Sequence, residues 1–151
     1  MDKRKSKGYN SKGIGEKTEA KMISCLVDND KVVLLPFGDN QRYDIVIEDD
    51  DGTFKRIQCK TGRLKNGAIN FSTCSSSYHR NGKKHSYRGQ IESFGVYCPE
   101  NGKCYLVPVD EVGTSGATLR VEPSANGQEK KFKWAEDYEL RQNGDLSPFF
   151  L

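Results

Sequence analysis

No apolar run in the 151-residue sequence comes near the roughly 20 residues that a bilayer-spanning helix needs; the longest aliphatic stretch is Val32-Val33-Leu34-Leu35. The basic opening, MDKRKSKGYNSKG, has no apolar segment behind it and so lacks the form of a secretory signal. A soluble, cytoplasmic protein is the expectation. Paired cysteines are lacking too. Cys25, Cys59, Cys74, Cys98 and Cys104 are odd in number and form no CxxC, which argues against a disulfide framework and for reduced thiols. A zinc site would rest on Cys98 and Cys104 alone, on either side of a PENGK turn, which is thin support. With 34% apolar residues and one tryptophan, the chain can bury only a modest core, of a size suited to one domain.

The most informative lack is of acid. Residues 52–90 carry nine Lys or Arg and not one Asp or Glu. The preceding stretch, 28–51, has the opposite bias, with eight acids and two bases. Residues 1–12 carry a net charge of +4 and residues 91–151 a net −4, so the overall +3 conceals strong segregation. A 39-residue cationic stretch interleaved with Ser, Thr, Asn and Tyr suits a polyanion, and it also describes a solvated basic face.

Periodicity predicts a helix over 16–28, with Met22, Ile23, Leu26 and Val27 on one stripe, after a flexible basic arm at 1–12. Residues 32–35 read as a strand ending at Pro36. Alternation over 43–48 and 54–60, with DDDG between, predicts a β-hairpin. Further strands are expected at 68–73, 94–98, 104–108 and 118–121, a long polar loop at 74–90, and a short helix at 134–140. The expected fold is α/β (α+β), a mixed central β-sheet flanked by helices. The expected division is an arm (1–12), a core (13–121) and a C-terminal extension (122–151).

Centring the hairpin on Gly52 pairs Asp44 with Lys60, Val46 with Gln58 and Glu48 with Arg56. Side chains alternate with period two, so Asp44, Gln58 and Lys60 share a face at the hairpin's open end. Phosphodiester hydrolysis needs such groups. A hard cation such as Mg²⁺ takes oxygen ligands, here the Asp44 carboxylate, the Gln58 amide oxygen and the Cys59 backbone carbonyl; Lys60 would orient or deprotonate water, or stabilise growing charge. The same trio read more simply is a cross-strand Asp44–Lys60 salt bridge. Glu19 lies at helical spacing from Met22, Ile23 and Leu26, where a carboxylate is costly unless paired or metal-bound. A helix packed over the open end would bring it to Asp44.

The runs GEKTEAKMISCL, VVLLPFGDNQRYDIVIEDDDGTFKRIQCKTGR and FGVYCPENGKCYLVP resemble the PD-(D/E)xK nuclease superfamily, and within it the homing-endonuclease-like proteins of group I introns, with Holliday-junction resolvases as cousins. The resemblance implies a mixed sheet flanked by helices, Mg²⁺-dependent (or Mn²⁺-dependent) cleavage of double-stranded DNA, and a homodimer or higher homo-oligomer. By position it implies that Glu19 is the helix acid, Asp44 the acid of the first motif, and Gln58 and Lys60 the ends of (D/E)xK. Tyr43 stands where the motif name has Pro. Gln58 replaces an acid and removes one negative charge from the metal site. The expected function is site-specific, homing-type cleavage; junction resolution or an inactive DNA-binding module are the alternatives. Phosphate contacts are expected from Lys55, Arg63, Lys65, Lys83 and Lys84, and base contacts from Asn70, Arg80, Arg88 or Gln90.

Overall fold

The computed structural model describes residues 10–76, 84–123 and 132–141, without the side chains of residues 76 and 84. Helix α1 (Ser11–Asp28) begins within the expected arm, because the Asn10 side chain accepts a hydrogen bond from the Gly13 N–H (3.0 Å) and caps the first turn. Its buried positions, Thr18, Met22, Cys25 and Leu26, recur at helical spacing.

Strands β1 (Val32–Leu34), β2 (Ile45–Glu48), β3 (Phe54–Thr61), β8 (Ser93–Cys98), β9 (Lys103–Pro108) and β12 (Glu139–Leu140) form a six-stranded sheet in the order β1-β2-β3-β8-β9-β12. Every pairing in it is antiparallel except β3 with β8. A second sheet has the order β11-β10-β5-β4, built from β4 (Arg63–Lys65), β5 (Ala68–Phe71), β10 (Ala117–Arg120) and β11 (Lys133–Trp134). A two-stranded hairpin, β6 (Cys74–Ser76) with β7 (Lys84–Ser86), completes the set.

Alternation along the central strands divides the core in two. On one face α1 lays Met22, Cys25 and Leu26 on Ile45, Ile47, Ile57 and Cys104. On the other, Phe94, Val96, Tyr105 and Val107 meet Ile69, Phe71 and Leu119 of the second sheet, with Phe71 edge-on to Phe94 (5.9 Å). Gly95 lets the helix come so close: a Cβ there would lie 2.8 Å from Met22 Cε and 2.9 Å from Ile57 Cγ2.

The α+β class and mixed sheet agree with the sequence reading, but α1 is the one α-helix among the described residues. The helix expected at 134–140 is instead two short strands, β11 and β12, around a single 3₁₀ turn at Ala135–Asp137; β11 pairs with β10 and β12 with β9, so strand pairing overrides helical spacing there. The expected loop at 74–90 contains the β6–β7 hairpin, and β4 was not foreseen.

The hairpin register also differs. Ile45 pairs with Ile57 and Glu48 with Phe54, two residues off the expected pairing, and the ladder ends at Ile45; Asp44, like Ile45, lies against Ile57, its N–H donating to Ile57 O (2.9 Å), so it is not opposite Lys60. The turn is centred one residue earlier than Gly52, with the Asp49 N–H donating to Thr53 O and the Gly52 N–H to Asp49 O (2.8 Å each). The slide by two residues keeps the parity within the ladder, but Asp44 lies before it, so the shared face expected for Asp44, Gln58 and Lys60 does not follow from the register.

Candidate nuclease site

Asp44 stands one residue before β2, where the sheet opens. Its main-chain N–H still donates to Ile57 O (2.9 Å), and its Oδ2 accepts the Cys59 N–H (3.0 Å). A strand residue's N–H and C=O point to the same edge, so the Cys59 carbonyl is aimed past the end of β2, on the side of Asp44. Gln58 lies in β3 next to Cys59, and its amide has no hydrogen-bond partner among the described residues. The Cys59 side chain turns to the helix side. Burial, with the Asp44 and Glu19 charges added, pushes its thiol well up, so it is a thiol and offers the site only its backbone.

Helix α1 does cross the open end: Thr18 Oγ1 and Thr61 Oγ1 are 2.6 Å apart. Glu19, the next residue, sits at the flank of the buried stripe, half-buried, and lines with Asp44 a cleft of about 300 Å³ whose other walls include Tyr43, Gln41, Asp39 and Pro36. Burial, then the neighbouring Asp44 and Glu16 carboxylates, holds Glu19 above the ordinary carboxylate range. Asp44 is raised as well, chiefly by burial, against the opposing pull of the Cys59 N–H and the Lys60 charge. Neither acid has an ion-pair partner within 4 Å among the described residues. The simple Asp44–Lys60 salt bridge is therefore not what the hairpin makes.

Lys60 turns instead to Cys74 O (3.2 Å) and Tyr87 Oη (3.4 Å), with its ammonium 4.9 Å from the centre of the Tyr87 ring. Glu92, which borders β8, is committed to structure: its carboxylate accepts from Arg56 Nε (3.0 Å), Nη2 (2.7 Å) and the Arg56 N–H (3.0 Å). A larger cleft of about 620 Å³ flanks α1 elsewhere, but it is lined by Lys17, Lys21, Arg63, Tyr97 and Pro99 and contains no carboxylate.

The cleft offers a cation the carboxylates of Glu19, Asp44 and Asp39, hard oxygen ligands of the kind Mg²⁺ takes, and Gln58 and Lys60 are not among its lining residues. No three His, Cys, Asp or Glu side chains converge into a metal-holding group among the described residues. The zinc idea fails on register. Tyr97 pairs with Cys104 and Cys98 with Lys103, so Cys98 and Cys104 enter the two different cores. None of the five cysteines is in a disulfide, and the Cys25 thiol donates to Cys104 Sγ (2.9 Å) across the helix-side core.

The predicted DNA-contacting residues scatter over several surfaces. Arg63, Lys65 and Asn70 share the outer face of the second sheet, where Arg63 pairs with Asn70 and Lys65 with Ala68. Thr118 and Arg120 extend that face, Thr118 donating to Asn70 Oδ1 (2.7 Å). Sequence reasoning missed both, though the alternation in ATLR carries the signal. Lys55 lies at the hairpin's turn, bound to Asp49 (2.7 Å). Arg88 donates to Val112 O (2.9 Å). Lys84 is in β7, and Arg80 and Lys83 lie outside the described residues. Arg42, not singled out from the sequence, proves to be among the most engaged cations, donating to Gln90, Ser75, His85 O and Ser86 O.

A mixed sheet with a helix-borne acid over its open end defines a restriction-endonuclease-like fold. The solved structure of a bacterial homing endonuclease, I-Ssp6803I, has the same fold, with a TM-score of 0.67 and 24% identity over 86% of this chain and 89% of that one. The chain belongs to the PD-(D/E)XK endonuclease family, whose family model matches residues 9–141. No curated protein matches it.

Proposed function

We propose that the protein is a divalent-metal-dependent DNA endonuclease that makes site-specific double-strand cuts, working as a homodimer or higher homo-oligomer on duplex DNA in the cytoplasm, at the nucleoid. The observation that carries this reading is the pairing of Glu19 and Asp44 in one cleft, with no ion-pair partner within 4 Å among the described residues, in a chain of the PD-(D/E)XK endonuclease family whose QxK strand carries Gln58 and Lys60. Two neighbouring acids, both raised, form a place that favours a doubly charged ion.

Asp44, Gln58 and the Cys59 carbonyl would hold the cation, with Glu19 as the second acid. When bound, a divalent ion supplies neutralisation of the charge that builds on the phosphate oxygens and activation of water. Lys60 contributes a localised positive charge and a hydrogen-bond donor for a phosphate oxygen or the attacking water. The Cys59 N–H fixes the Asp44 carboxylate so that one oxygen remains directed at the cleft. The outer face with Arg63, Lys65, Asn70 and Arg120 supplies phosphate and base contacts, and with the other cations of 52–90 would make binding salt-dependent.

Purified protein incubated with plasmid and Mg²⁺ should nick or linearise it, and Asp44→Ala and Lys60→Ala should do so about 10²–10³-fold more slowly. Cleavage at the wild-type rate in both variants would remove the assignment. The Gln58 amide supports a second reading, a DNA-binding module without activity. Salt-sensitive binding without cleavage in Mg²⁺ or Mn²⁺ would favour it. Preference for a four-way junction over linear duplex would mark a resolving enzyme instead.

A further inference from the structure

We infer that Tyr87 and Arg42 are positioning residues that aim the Lys60 ammonium, an assignment that rests on the nuclease reading of Lys60. The Tyr87 hydroxyl is 3.4 Å from Lys60 Nζ, and the second acceptor of that ammonium is the Cys74 carbonyl at 3.2 Å. Both partners bracket the β6–β7 hairpin, Cys74 at its start and Tyr87 just after its end. Lys60 is thus oriented not by its own sheet or by Asp44 but by a separate two-stranded element.

Tyr87 is itself fixed. Its ring is 4% exposed and meets Phe94 edge-on at 5.6 Å, and the Arg42 guanidinium lies 3.9 Å from its centre. A cation that near a buried ring is held by the ring's charge distribution and holds the ring in return. Arg42 spends its N–H groups on the same hairpin: Nη1 on Ser75 Oγ (2.5 Å), Nη2 on Ser86 O (3.0 Å) and His85 O (3.3 Å), and Nε on Gln90 Oε1 (2.5 Å). Because Arg42 is two residues before Asp44, one short segment carries both the acid of the site and the fork that secures the hairpin. The chain of contacts runs Arg42, Tyr87, Lys60, with each step made by a charged or polar group of fixed geometry. Lysine at position 42 would keep the charge but lose the fork, so charge alone cannot replace it.

A group that acts by aiming another leaves binding alone and slows the chemical step. The test compares wild type, Tyr87→Phe, Arg42→Lys, Lys60→Ala and the double variant Tyr87→Phe/Lys60→Ala. For each, duplex DNA affinity is measured in Ca²⁺, the single-turnover cleavage rate in Mg²⁺, and thermal melting as a check on folding. Tyr87→Phe keeps the ring and is expected to slow cleavage about 10-fold with affinity unchanged. Arg42→Lys should slow it in the same direction without rescue. In the Lys60→Ala background Tyr87→Phe should have no additional effect, because its target is gone. Wild-type rates for Tyr87→Phe, or an equal loss in the presence and absence of Lys60, would overturn the inference while Lys60→Ala still cleaves about 10²–10³-fold more slowly than wild type. Full activity of Lys60→Ala would overturn both it and the nuclease reading beneath it.

Discussion

The β2–β3 hairpin has an acid cluster at each end, and the two are handled in opposite ways. At the turn, Asp49 accepts from Lys31 (3.3 Å) and Lys55 (2.7 Å), and these cations hold its carboxyl below the ordinary range. Asp51 accepts from the Thr53 hydroxyl and N–H, and those hydrogen bonds hold its carboxyl below the ordinary range. At the open end, Glu19 and Asp44 face one another across a cleft, have no ion-pair partner among the described residues, and are both raised. The number of carboxylates does not separate the ends; the presence of partners does. Acids that the chain has satisfied are architecture, and acids it has left unsatisfied, at a cost in stability, are where an external cation is wanted.

The largest effect should come from substitutions at the open end. Lys60→Ala or Asp44→Asn is expected to lower the single-turnover cleavage rate by about 10²–10³-fold, while Asp49→Asn at the turn leaves that rate within about twofold. Equal losses at both ends would erase the distinction. Next is the helix that delivers Glu19. Gly95→Val would drive a side chain into Met22 and Ile57, which overpacks the core by about 1–3 kcal/mol and should appear as a lower melting temperature.

A smaller effect should follow pH. The raised carboxyl groups of Glu19 and Asp44 make the folded protein bind more protons than the unfolded chain between their unfolded and folded pKa values. Stability therefore falls as pH rises through that window, and the full penalty is present above it. Without divalent cation, Asp44→Asn should melt above wild type near neutral pH, and that lead should vanish as pH falls to about 4, where free carboxyl groups protonate. Asp49, being lowered, has the opposite sign: its contribution is present above its unfolded pKa and is lost as pH falls through the folded one. Its ion pairs are partly exposed, so Asp49→Asn should cost no more than about 1 kcal/mol, read by denaturant melting at pH 7 against pH 3.

Much of this was legible in the sequence for a physical reason. Alternation located both strands of the hairpin even though the pairing was off by two residues, whereas it did not fix the face of Asp44, which lies one residue before the ladder. The stripe read through Met22, Ile23, Leu26 and Val27 likewise located α1, although Val27 is exposed and Cys25 takes its place in the buried row. Long-range contacts were less accessible. Nothing local in EDYEL says that Glu139 and Leu140 will pair with Tyr105 and Cys104, and the helix expected there yielded to that pairing. Lys60's turn toward Tyr87 depends on a hairpin whose polar residues read as loop. The β4–β5 turn was readable and was passed over: Asn66-Gly67, with φ of 52° and 73°, is a two-residue hairpin turn with both residues in the left-handed region.

The unsatisfied acid pair is tested most directly by titrating Mn²⁺ into the protein and following the free ion by electron paramagnetic resonance, for wild type, Asp44→Asn and Asp49→Asn. The expected result is a site in wild type and in Asp49→Asn that weakens at least about tenfold in Asp44→Asn, in keeping with loss of a carboxylate ligand to a hard cation. Equal Mn²⁺ affinity in wild type and Asp44→Asn would contradict it.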